Sequence, residues 1–305
     1  MTPLRRALAA YLRTRRALGF KSKRDGELLP QFVAYLDEHG ASFVTTAAAI
    51  AWSAQPRDAA PAWWTQRLVV VRGFAKYLQT IEPRTEVPSL DHLPHRRART
   101  APYVYSAADV AALLSATDTL RSALKTATYR TLLGLLAVTG MRVGEAVALD
   151  ERDVDHRHAT LVVRKTKFDK SREVPLHAST IAALNRYRRD RDRLAPRRSS
   201  SSFFASTVGS RLIYQNVHET FLQLVYVAGL GERRPRPTIH DLRHTFAIQT
   251  VLGWYRDGVD VEARLPLLST YLGHVGPSST YWYLTAVPEL LEAATVRLER
   301  SQVKP

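Results

Sequence analysis

From Leu4 to about Leu93 the apolar residues recur three and four apart: Leu8, Tyr11 and Leu12, then Leu28, Leu29, Phe32, Val33 and Leu36, then Leu68, Val71, Phe74, Ala75 and Leu78. That spacing predicts helices with one apolar stripe each, punctuated at Gly19, Gly40 and Pro61. Between Pro88 and Pro102 the period is lost, and three prolines accompany His95, Arg96, Arg97 and Arg99, the pattern of an extended basic linker. We therefore expect a helical domain over residues 1–90, a linker over 91–105 and a second domain over 106–305. In that second domain Ser106-Ala-Ala-Asp109 offers a helix cap, and the apolar run from Tyr129 to Val138 predicts a helix that stops at Gly140. Alternation then replaces the helical period. Thr160 to Arg164 and Arg172 to Leu176 predict a β-hairpin around the lysine-rich turn from Lys165 to Ser171. Helices resume at His177, with loops over Pro196–Ser202 and Gly231–Pro237. The expected class is mainly α with a small β-hairpin or sheet, an α+β fold.

Composition then narrows the partner. The 305 residues, 45% of them hydrophobic, suffice for two packed cores. The formal charge is +16, and residues 1–100 hold 16 Lys or Arg against 8 Asp or Glu, so that third of the chain carries a surplus of eight. An excess of that size in a foldable composition points to a polyanion, nucleic acid first. The absence of cysteine excludes disulfides, thiolate metal sites and cysteine nucleophiles, and fits a reducing cytoplasm. Leu132 to Val138, the most apolar run, is far shorter than the roughly 20 residues that cross a bilayer, so no membrane partner is expected. The first 24 residues are basic and free of acids, superficially like a targeting peptide, but Arg13 interrupts the apolar stretch; a basic helix facing DNA is the preferred reading.

Four segments carry candidate chemistry. In Thr139-Gly140-Met141-Arg142-Val143-Gly144-Glu145 an apolar helix ends on glycine and an arginine follows, with a carboxylate three residues on; an ordinary capping pair would look the same. The hairpin tip holds Lys165, Lys167 and Lys170, which are either solvated or able to reach into a groove and donate a proton. In His240-Asp241-Leu242-Arg243-His244 the positions i, i+3 and i+4 share one helix face. The rival there is a zinc hydrolase, since two histidines four apart match metalloprotease spacing. It would set the fixed charge of Arg243 beside a dication and leave a third ligand unidentified. Last comes Leu272-Gly273-His274, followed by a Pro/Ser loop and Tyr281-Trp282-Tyr283, aromatics that could equally be packing residues.

Together and in this order the four segments resemble the catalytic domain of the tyrosine recombinases, or phage integrases, over about Ser106 to the C-terminus. Arg142, the His240-x-x-Arg243 pair and Leu-Gly-His274 match three of the family's boxes. Tyr283 stands nine residues after His274, where the family places its nucleophile, with Tyr281 the near decoy. The family's lysine commonly precedes a second lysine by three and an arginine by five, as Lys167 does with Lys170 and Arg172; Lys165 before Thr166 resembles an alternative pattern. The resemblance therefore implies a catalytic set of Arg142, Lys167, His240, Arg243, His274 and Tyr283, with Glu145 and His244 in support and Lys165 as the alternative lysine. The string from Tyr271 to Leu284 looks like that of transposon-borne members, and the basic front domain looks like their helical core-binding domain. The resemblance further implies a C-shaped clamp on double-stranded DNA at specific recombination sites, tetrameric self-association there, and sister recombinases or accessory proteins. A tail helix from Pro288 to Arg300 would dock on its own domain or on a neighbour.

The residue types suit the chemistry. Attack on a phosphodiester builds charge that two arginines can clamp with bidentate bonds. A tyrosine hydroxyl ordinarily holds its proton up to a pH of about 10, so it needs a proton acceptor, His240, and the departing 5′ oxygen needs a donor, Lys167. His274 would hydrogen-bond the phosphate. A phosphotyrosine retains the ester's energy, so no nucleotide, cofactor or metal is expected, and the enzyme would act in the cytoplasm, on the nucleoid. Integration, excision or transposition of a mobile element is the leading role. Chromosome-dimer resolution, a type IB topoisomerase, a telomere resolvase and a non-catalytic DNA-binding protein are the alternatives.

Overall fold

The computed structural model describes residues 2–20, 22–93, 101–164 and 171–273. The chain divides into two compact units, residues 1–99 and 100–305.

Four helices build the first unit: α1 (Pro3–Ala17), α2 (Lys23–Glu38), α3 (Thr46–Ser53) and α4 (Pro61–Gln79). Their starts follow local chemistry. Thr2 and Thr45 accept backbone N–H bonds from Arg5 and Ala48, and Pro3 and Pro61 occupy first-turn positions where no N–H is needed. The stripes read from the sequence meet in one core: Leu4, Leu8 and Tyr11 of α1, Leu29, Phe32, Val33 and Leu36 of α2, Trp52 of α3, and Leu68, Val71, Phe74 and Leu78 of α4. The buried guanidinium of Arg67 lies 3.6 Å from the Trp52 ring centroid and donates to the Trp52 carbonyl. On the opposite face of α1, Arg5, Arg6, Arg13 and Arg16 are exposed.

The second unit is mostly helical with one small sheet. Helix α5 (Ala107–Ala116) starts on a reciprocal cap, in which Asp109 N–H donates to the Ser106 hydroxyl and Ser106 N–H donates to the Asp109 carboxylate. Helix α6 (Ala123–Thr139) ends at Gly140 in the left-handed conformation, φ 59°, and the short α7 (Val143–Ala148) follows. Strands β1 (Val154–Asp155), β2 (Thr160–Val163) and β3 (Arg172–Pro175) form an antiparallel sheet in that order, with Leu161 opposite Val174 and Val163 opposite Arg172. The β2–β3 hairpin was expected; β1 was not, because two residues are too few to show alternation. After the sheet come α8 (Ala178–Leu194), α9 (Tyr214–Val227), α10 (Asp241–Arg256) and α11 (Val261–Leu272).

Leu132, Leu133, Leu135 and Leu136 of α6 centre the larger core, against Leu161, Val163 and Val174 of the sheet and Leu184, Tyr187, Phe203, Phe204, Phe221 and Leu224 beyond it. The leucines of the apolar run are thus interior, while Val138 at its end is exposed, and among the described residues no helix is long and apolar enough to cross a membrane. A smaller core joins α10 to α11 through Ile248, Val251, Leu252, Val261, Leu265, Leu268 and Leu272. It fixes where α11 ends. The Pro196–Ser202 segment is a loop as expected, yet it is anchored: fully buried Arg191 pairs with Glu151 and Asp192, and Arg198 pairs with Glu151 and donates to the Ser202 carbonyl.

Ser106→Ala removes one half of the α5 cap and should cost about 1 kcal/mol of stability. Urea unfolding of the full chain measures it.

Candidate active site

Three helix ends and the turn-side end of the β2–β3 strand pair meet in the second unit. Gly140 makes the first turn possible. A Cβ there would stand 2.5 Å from Phe246 Cδ1, and the positive φ disfavours any side chain. The glycine lets α6 stop against α10, so the chain leaves with Arg142 at the start of α7. There Arg142 N–H and Nη1 both donate to the Glu145 carboxylate, at 3.1 and 2.9 Å.

The same guanidinium also reaches the far end of the domain sequence. Arg142 Nη1 lies 3.5 Å from the Leu272 carbonyl, and Nη2 donates to the Gly273 carbonyl at 3.2 Å. Arg243, one turn into α10 and only 2% exposed, donates Nη2 to the same Leu272 carbonyl at 2.7 Å and Nη1 to the Gly140 carbonyl at 2.8 Å. The last carbonyls of a helix lack intrahelical donors and carry partial negative charge, so the end of α11 is a natural acceptor for two cations. The two arginines are therefore brought together by main-chain oxygens one and two residues before His274.

His240 begins α10 and keeps an open face to solvent. The protein around its ring dehydrates it, and the charges of Arg243 and then Arg142 repel a further proton, so its pKa lies below the ordinary imidazole value. Near neutral pH it is a neutral proton acceptor. The His244 ring, half-buried one turn on, stands edge-on to it with centroids 4.6 Å apart. The turn into α10 is held by buried Asp241, which accepts from the Thr238 N–H and hydroxyl, each at 2.8 Å. Tyr105 buttresses the same turn, donating its hydroxyl to the Thr238 carbonyl and its N–H to the Thr245 hydroxyl.

Glu145 has a second cationic neighbour. Arg172, the first residue of β3, donates Nη1 to Glu145 Oε1 at 3.1 Å and Nη2 to Oε2 at 2.7 Å; the two side chains are 12% and 11% exposed. Burial alone would raise the Glu145 pKa, but the Arg172 fork and the Arg142 donors outweigh it and hold the carboxyl below its ordinary value. Arg172 served the sequence reading only as a spacing mark for Lys167. Its partner lies 27 residues away, and the Leu272 and Gly273 acceptors are main-chain atoms, so no side-chain motif announces either. Lys165, Lys167, His274, Tyr281, Tyr283 and the Pro288–Arg300 tail lie outside the described residues.

The phage integrase family matches residues 104–289, the span that contains every element of the site. The chain belongs to the phage integrase family. Members of this family of tyrosine recombinases cleave and rejoin DNA through a tyrosine intermediate, and the chain is an enzyme of that class. It is 43% identical to the integrase/recombinase y4rB of Sinorhizobium fredii (strain NBRC 101917 / NGR234), over 98% of both chains. Its fold is similar to that of the Tn1549 transposon integrase in complex with transposon right end DNA, with a TM-score of 0.64, 16% identity, and 98% and 99% of the two chains covered. It is also similar to the lambda integrase of a tetramer bound to a Holliday junction, with a TM-score of 0.60, 16% identity, and 92% and 76% covered.

Gly140→Ala combines a left-handed backbone with a clash against Phe246 and should destabilise the integrase by about 2–4 kcal/mol in urea unfolding. Glu145 makes a pH-dependent contribution. Because its native pKa is depressed, that stability is fully present above the unfolded-state value of about 4.3 and is lost as pH falls through the native one. Unfolding curves collected stepwise into acid should therefore fall more steeply for the wild type than for Glu145→Gln.

Proposed function

We propose that Tyr283 attacks the scissile phosphodiester and displaces the 5′ oxygen, leaving a 3′-phosphotyrosine that a 5′ hydroxyl of another strand then resolves. Arg142 and Arg243 clamp the phosphate oxygens as charge builds on them. His240 takes the tyrosine proton, and Lys167, or else Lys165, gives a proton to the departing oxygen. His274 hydrogen-bonds the phosphate, while Glu145 and His244 support Arg142 and His240. The observation that carries this reading is the double hold on the Leu272 carbonyl: both guanidiniums stand where the chain enters the segment of His274 and Tyr283. The depressed pKa of His240 keeps the acceptor neutral at the pH of the cell.

Double-stranded DNA carrying specific recombination sites is the substrate. The +16 charge and the four exposed arginines on α1 suit the phosphate backbone, with residues 1–90 as the core-binding domain and 106–305 as the catalytic domain. The enzyme acts as a tetramer on two sites, in the cytoplasm. Movement of a mobile element is the proposed role, supported by the resemblance of the Tyr271–Leu284 string to transposon-borne members and by the 43% identity to the integrase/recombinase y4rB.

The test is a nicked suicide duplex bearing a sequence that the protein itself selects from a randomised library. A covalent adduct should form in the presence of a metal chelator, peptide mapping should find it on Tyr283, and Tyr283→Phe should bind the duplex without reacting. An adduct on Tyr281, or none where the duplex is bound, contradicts the proposal.

A further inference from the structure

Arg172 opens β3, in the last cross-strand pair before the β2–β3 connection, and none of the roles above uses it. Three observations converge on this side chain. Its fork closes on both oxygens of Glu145, the carboxylate that also takes two donors from Arg142. It is nearly buried, so the pair is shielded from water and salt, unlike an exposed ion pair. It also lies directly beneath the end of α11: a Cβ added to Gly273 would come within 2.8 Å of Arg172 Nη1, which fits the absence of a side chain there.

We propose that Arg172 is a positioning residue for strand cleavage, holding Glu145 so that Arg142 is aimed at the phosphate and tying the turn-side end of the β2–β3 strand pair to the Arg142 turn. The inference rests on the function proposed above. Glu145 has only two oxygens, and each is shared between the two arginines: Oε1 takes one Nη1 from Arg142 and one from Arg172, and Oε2 takes the Arg142 N–H and Arg172 Nη2. Without Arg172 the carboxylate can rotate towards Arg142 alone, turning the guanidinium from its place at the Leu272 and Gly273 carbonyls. The same bond means that the hairpin cannot shift as a unit without disturbing Arg142. A lysine keeps the charge but offers a single ammonium where the site uses a planar fork, so Arg172→Lys should fail to substitute. The other charged and titratable groups around this point are Arg243 of α10 and Tyr271 of α11, with His240, at the N-cap of α10, beside Arg142 and Arg243; Arg243 directs Nη1 and Nη2 to the Gly140 and Leu272 carbonyls.

The test uses the full-length protein in single-turnover cleavage of the nicked suicide duplex, with duplex affinity and thermal midpoint measured alongside. Arg172→Lys should cleave roughly 10- to 100-fold more slowly while its affinity stays within about twofold of wild type. In a Glu145→Gln background the same substitution should change the rate by less than about twofold, because its effect passes through the carboxylate. Wild-type cleavage by a normally folded Arg172→Lys, or equal losses with and without Glu145, overturns the proposal. A wild-type protein that binds the duplex and forms no tyrosine adduct overturns the function reading itself, a separate result that needs no Arg172 variant.

Discussion

The last carbonyl of α11 is the point on which the site depends. A helix end leaves its final carbonyls without donors, and a buried guanidinium is costly without acceptors. Each supplies what the other lacks: the Leu272 oxygen takes a bond from Arg243 and stands within reach of Arg142, and Gly273 takes a second bond from Arg142. The position of that oxygen is in turn set by the small core between α10 and α11, in which Leu272 is fully buried. Apolar packing thus decides where two cations converge, and Gly140 decides that α6 ends close enough for Arg243 to reach it.

A cluster of cations with few anions nearby is electrostatically expensive, and the local arrangement shows how the cost is met. Glu145 is the carboxylate bound by both Arg142 and Arg172, and the remaining compensation comes from backbone dipoles. Dipoles stabilise a guanidinium without cancelling its net charge. Dehydration of the ring lowers the pKa of His240 first, and the field of Arg243 and Arg142 adds to it, so the feature that suits the site to a phosphate also helps keep its imidazole ready to accept a proton.

Much of this was legible in the sequence, and what was not shares a cause. The stripes of α1, α2 and α4 follow from the three-and-four spacing, the end of α6 from a glycine placed before an arginine, and the hairpin from alternation around a polar turn. The Arg142–Glu145 bond and the His240–His244 contact span three and four residues, distances that a helical period exposes. Arg172 was visible only as a spacing mark, because its partner is distant in the chain, and the acceptors on Leu272 and Gly273 have no side-chain signature at all. Arg191 likewise carries no signal in the sequence: it stands in a helix rich in Arg and Asp, yet it is fully buried and pins the Ser-rich loop by way of Glu151 and the Phe203 carbonyl.

If the convergence of Arg142 and Arg243 exists to stabilise charge on a phosphate, removing that charge from the substrate should remove the need for one of them. The direct measurement is single-turnover cleavage by wild type and Arg142→Ala on two duplexes, one with an ordinary scissile phosphodiester and one with a neutral methylphosphonate there. The account predicts a gap of roughly 100-fold or more between the proteins on the phosphodiester, and a gap that largely closes on the methylphosphonate. The same gap on both substrates would mean that Arg142 only holds the fold together, and would contradict the account.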